Sequence, residues 1–150
     1  MGAKIEILID EKPERVFHVL TDPELSKQWL KGMVETIPVS GSLDQPGARF
    51  KQRFLQNGKW SEYEGRVTAF QSERLFAAEI DNGPFLSCAR YEVESTGAGT
   101  RLHYALEFRP KTFMAKPLTF LVGLMAKFAC RQQVADLKKF IEARKVSSSL

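Results

Sequence analysis

Apolar and polar residues alternate at period two through most of this chain and switch to a helical period in two places. Ile5, Ile7 and Ile9 alternate with Lys4, Glu6, Leu8 and Asp10, which predicts a strand with one apolar face. After Glu11-Lys12, Pro13 stands where a first helical turn accepts proline. Val16, Phe17, Val19 and Leu20 then recur at helical spacing. Asp22 and Pro23 restart a second short helix as cap and first-turn residue, running to about Trp29 or Leu30. From Met33 the period returns to two. Strands are predicted over 33–39, 48–56, 59–70, 74–80, 85–94 and 100–108, with Pro38 suiting an edge position. Asn57-Gly58 is a two-residue hairpin signal, and Asp81-Asn82-Gly83-Pro84 and Thr96-Gly97-Ala98-Gly99 mark further turns. Short connections between consecutive strands predict an antiparallel meander.

The last quarter reads differently. Residues 111–145 predict one long helix, followed by a frayed tail over 146–150. Val134, Leu137 and Ile141 form an ordinary sheet-packing stripe in its second half. The first half, from Phe113 to Phe128, is apolar on nearly every side, more than one sheet contact requires. The surplus implies a ligand, a partner or a membrane surface. Leu121, Met125 and Phe128 are the expected cavity-facing positions, and Gly123 leaves room for close approach or for a ligand.

With 150 residues, 43% of them apolar and 27% charged, the chain fits a single globular domain over 1–150. The apolar run 118–126 is shorter than the roughly 20 residues a spanning helix needs. Met1-Gly2-Ala3-Lys4 leads directly into a strand pattern, so no signal peptide is expected, and Glu6 stands where a myristoylation site carries Ser or Thr. Cys88 and Cys130 are then expected as reduced thiols in the cytoplasm. The two histidines, His18 and His103, lack metal-ligand spacing, so neither metal nor cofactor is expected. The net charge of +4 is uneven: 109–150 carries +7 and the remainder −3. Lysine and arginine are favoured near a helix C-terminus, and the same charges would attract an anionic surface. Nucleic acid is not an expected partner, because the cations are not interleaved with aromatics in a known module.

The element order resembles the helix-grip superfamily, which includes plant pathogenesis-related Bet v 1-like allergens, steroid-transfer START domains and polyketide cyclases, its nearest branch being polyketide cyclase/dehydrase-like. The resemblance is carried by Ile5-Glu6-Ile7 entering Lys12-Pro13-Glu14-Arg15-Val16-Phe17, by Leu20-Thr21-Asp22-Pro23-Glu24 with Trp29, and by Tyr63-Glu64-Gly65-Arg66-Val67. It implies an α+β fold: a seven-stranded curved antiparallel sheet wrapped around a long C-terminal helix, with two short helices between strands 1 and 2. It also implies a deep apolar cavity for lipids, sterols, quinones or polyketides, and no universal catalytic residue.

Candidate lining residues follow from strand faces. Phe50, Gln52 and Phe54 share one face, offering two aromatic walls and a polar contact. Tyr91 lies on the face of Ala89 and Val93, and Tyr104 and Phe108 on that of Leu102 and Leu106. A buried tyrosine hydroxyl there needs a partner, in the protein or in a ligand. Trp29 falls where a lid over the cavity mouth would lie. Glu62, Glu64 and Arg66 alternate opposite Tyr63, Gly65 and Val67, and are expected outward because buried unpaired charge is costly. His103 shares an outer face with Arg101 and Glu107. No catalytic residue is assigned. Three functions remain: binding or carrying a small hydrophobic ligand, cyclase or dehydratase chemistry, and docking of the apolar half-helix on an anionic membrane or in a homodimer.

Overall fold

The computed structural model describes residues 2–148, though not the side chains of 115, 116, 118, 119 and 144–148. Seven strands form one antiparallel sheet: β1 (Gly2–Ile9), β2 (Met33–Ser40), β3 (Arg49–Gln56), β4 (Lys59–Gln71), β5 (Leu75–Asp81), β6 (Phe85–Ser95) and β7 (Thr100–Pro110). Their order is β1-β7-β6-β5-β4-β3-β2. The meander from β2 to β7 is thus completed by β1, which lies beside β7 with Ile5 opposite Tyr104. β2 forms the far edge, where Pro38 costs no interior ladder bond.

Between β1 and β2 stand α1 (Pro13–Thr21) and α2 (Pro23–Trp29). Asp22 both ends the first helix and caps the second, its carboxylate accepting from the Glu24 N–H at 2.9 Å. The Trp29 indole donates to the Val19 carbonyl at 3.2 Å, so Trp29 joins the two helices from a buried position. The main core lies beneath them, where Val16, Phe17, Val19 and Leu20 meet Ile9, Val93, Leu102, Leu137 and Ile141.

The long helix departs from expectation at both ends. It does not begin at Lys111: a 3₁₀ segment, Phe113–Leu118, precedes α3 (Thr119–Ser148). Pro117 accounts for the change, since it lacks an N–H and disfavours helical geometry at the residue before it. At the other end the backbone stays helical through Ser148, where a frayed tail was expected from residue 146; Ser149 and Leu150 of that tail lie outside the described residues. α3 packs chiefly on β1 and β7 through one stripe: Gly123, Ala126, Cys130, Val134, Leu137 and Ile141. The first three are small and the last three large. A carboxylate oxygen of Glu142 accepts from the Asp10 N–H at 3.0 Å and ties the distal half to the end of β1.

Candidate functional site

A cavity of about 400 Å³ lies between the concave sheet face and the two short helices. Period-two geometry builds its walls. On β3, Phe50, Gln52 and Phe54 point inward as expected, and Gln56 continues the row. On β4 Tyr63 points inward, while Glu62 pairs with Lys51 at 3.6 Å and Arg66 with Glu79 at 2.9 Å outside the cavity. Tyr63 meets Phe54 edge-on, with centroids 5.7 Å apart. Phe50 stands opposite Gly65, where an added Cβ would fall 2.4 Å from the ring. Gly65 is therefore the space into which a wall aromatic is folded.

β5, β6 and β7 supply the floor: Phe76, Ala78 and Ile80, then Ser87, Ala89 and Tyr91, then Tyr104, Leu106 and Phe108. The Tyr91 and Tyr104 rings stack with centroids 4.5 Å apart. Gln133 of α3 donates from Nε2 to the Tyr91 hydroxyl oxygen at 2.6 Å. The two tyrosine hydroxyls also interact with each other, and Tyr104 reaches the buried Cys130 thiol. Burial pushes both phenols well above their ordinary value, and it raises the Cys130 thiol too. The phenols are thus fixed as protonated hydrogen-bonding groups in ordinary buffers. A second polar pair, Asn82 donating to Ser87, sits at the β5–β6 turn.

Among the described residues no Asp, Glu, Lys, Arg or His lines this cavity. The charged side chains of the sheet lie on its outer face; His103 stands there within 4 Å of Glu6 and Glu94, beside Arg101.

Seven expected site residues line the cavity: Trp29, Phe50, Gln52, Phe54, Tyr91, Tyr104 and Phe108. Three do not. Leu121, Met125 and Phe128 are 58%, 71% and 75% exposed, because the small Gly123–Ala126–Cys130 stripe is what turns toward the sheet. The surplus of the half-helix thus faces outward instead of lining the cavity. α3 contributes Gln133 to the wall. Sequence reasoning missed Gln56, two residues beyond Phe54, Ser87, two residues before Ala89 on the Tyr91 face, and Tyr63, which turns inward once Glu62 and Glu64 are outward; all three were legible from alternation. It also missed Met33, Thr36 and Gln133. Gln133 lies beside Val134 at the margin of a helical stripe, where periodicity does not choose a side.

Among curated proteins, none matches this sequence. Solved structures share the architecture. Ara h 8.0201 superposes with a TM-score of 0.79 at 16% identity, over 95% of this chain and 98% of that one. A protein of unknown function from Staphylococcus aureus, SA2116, gives 0.76 at 18%, over 97% and 95%. TTHA0849 from Thermus thermophilus gives 0.73 at 19%, over 96% and 99%. These likenesses show the helix-grip, Bet v 1-like fold. The sequence itself matches, over residues 3–142, the family described as polyketide cyclase / dehydrase and lipid transport, and the chain belongs to that family.

Proposed function

We propose that this protein binds and carries a small, uncharged, largely apolar molecule that bears at least one oxygen acceptor. The observation that carries this reading is the wall chemistry: among the described residues, aromatic and aliphatic surface interrupted by neutral amide, hydroxyl and phenol groups. Such a surface favours apolar contact and orients a carbonyl or hydroxyl. It disfavours a carboxylate or phosphate, which would be desolvated without a counter-charge. A cavity of about 400 Å³ suits a compact quinone-, sterol- or polyketide-like body. In this reading Trp29, Phe50, Phe54 and Phe108 are the apolar walls, and Gln52, Tyr91 and Tyr104 the orienting groups. The whole of 1–150 acts as one binding unit, and the free thiols of Cys88 and Cys130 suit a cytoplasmic setting.

The same walls favour holding over conversion. Cyclisation or dehydration needs a proton acceptor as well as a donor, and among the described residues no carboxylate or imidazole lines the cavity beside the protonated tyrosines. Native mass spectrometry of gently purified protein, followed by solvent extraction, tests the proposal. A neutral organic adduct is expected, displaced by a larger side chain at Ala78→Phe. A carboxylate- or phosphate-bearing adduct, or a cavity that takes up no neutral probe such as a naphthoquinone, would overturn it.

A further inference from the structure

Five large apolar residues that do not reach the cavity are gathered on one face of α3. Phe120, Leu121, Leu124, Met125 and Phe128 are 42–75% exposed. At about 100° per residue this face is centred about 150° around the helix from the buried stripe. It points away from the sheet, so a hinge that brought α3 closer to the cavity would leave it uncovered. An outside surface must cover it, and local charge says which kind. From Arg109 to Ala135 the chain has five basic residues and no acidic one. Arg109 and Lys111 are paired with Glu107 and Asp81, but Lys127 and Arg131 are exposed and make no ion pair among the described residues. They lie one turn apart on the margin of the apolar face.

We infer that the first half of α3 is a membrane-surface element that lays Phe120, Leu121, Leu124, Met125 and Phe128 into an anionic bilayer interface while Lys127 and Arg131 reach its headgroups. Large apolar side chains inserted at headgroup depth and cations at the boundary are what an interfacial helix requires. The inner stripe of glycine, alanine and cysteine supports this use, because it holds the helix to the sheet without needing the large residues inward. The 3₁₀ segment that leads into this element begins five residues beyond Phe108, a cavity wall, so docking would bring one end of the cavity toward the lipid. The inference does not depend on what the cavity holds.

Sedimentation of the full chain with phosphatidylcholine vesicles containing about one-third phosphatidylserine tests it. The protein is expected to pellet at about 0.1 M salt and to release largely at about 1 M. Met125→Glu/Phe128→Glu and, separately, Lys127→Glu/Arg131→Glu should each lower the partition coefficient roughly ten-fold or more. All four positions are exposed, so both variants should keep the wild-type thermal midpoint and the cavity adduct. The inference is overturned if wild-type protein stays in the supernatant at low salt, or if pure phosphatidylcholine binds it equally well. It is also overturned if light scattering shows a wild-type dimer that Met125→Glu/Phe128→Glu converts to monomer.

Discussion

The two halves of α3 bury the same stripe and direct their large apolar residues to opposite sides. In the distal half Val134, Leu137 and Ile141 are 2% exposed or less; Leu137 and Ile141 close the core under α1 and α2, and Val134 packs with Tyr104 and Cys130. In the proximal half Gly123, Ala126 and Cys130 occupy the stripe, while phenylalanine, leucine and methionine face out. Helical periodicity is unchanged across the boundary; what changes is side-chain volume on the inner side. The distal half is thus a structural clamp, and the proximal half a thin spacer with its apolar surface left for an external medium. Gln133, at the seam, joins the clamp to the cavity through Tyr91.

The largest test of this division is Leu137→Ala. Loss of a fully buried leucine from the clamp should cost about 2–5 kcal/mol, read from urea denaturation midpoints. A cost near zero would mean that the distal half does not anchor the fold. Next comes Ala126→Leu in the spacer, where added volume against the sheet should cost about 1–3 kcal/mol. If Ala126→Leu instead stabilises, the spacer is underpacked and its small residues are not needed for close approach.

At the seam, Tyr91→Phe removes the acceptor of the Gln133 amide. It should weaken binding of a quinone-type probe by about 1 kcal/mol in calorimetry, and more than it weakens a hydrocarbon of the same size. A pH series sharpens the same point. Burial raises the Tyr91 and Tyr104 values in the folded state, so folded and unfolded chains both keep these protons below about pH 10. Above that the unfolded chain ionises first, and the stability these tyrosines contribute falls as pH rises. The fall between about pH 9 and 11 should be shallower in Tyr91→Phe than in wild type. Parallel curves would show that Tyr91 is not sequestered. The smallest effect is expected for Leu124→Ala on the outer face, within about 0.5 kcal/mol of wild type, because that side chain is already 42% exposed. A cost comparable to Leu137→Ala would erase the distinction between the halves.

Strand faces and helix caps were legible because each is set by residues a few positions apart. Phe50, Gln52 and Phe54 share a face whatever surrounds them, and Asp22-Pro23 starts a helix on its own. Tyr63 was within reach of the same alternation once Glu62 and Glu64 were placed outward. Leu121, Met125 and Phe128 were misplaced because a helix apolar all round offers no local sign of which side meets the sheet. That choice turned on Gly123, Ala126 and Cys130 fitting against β1 and β7, strands that lie in other parts of the chain.

By itself, the sequence determined the order of elements, the antiparallel meander, the inward faces of β3, β6 and β7 and the cationic bias of the C-terminal quarter, since all of these follow from local period, turn chemistry and charge. The tertiary structure decided the rest: an uncharged cavity, the contact between Gln133 and Tyr91, and the outward turn of the proximal helix. Each depends on which surfaces meet in space, and meeting is settled by volume and desolvation across distant segments, which no spacing along one segment encodes.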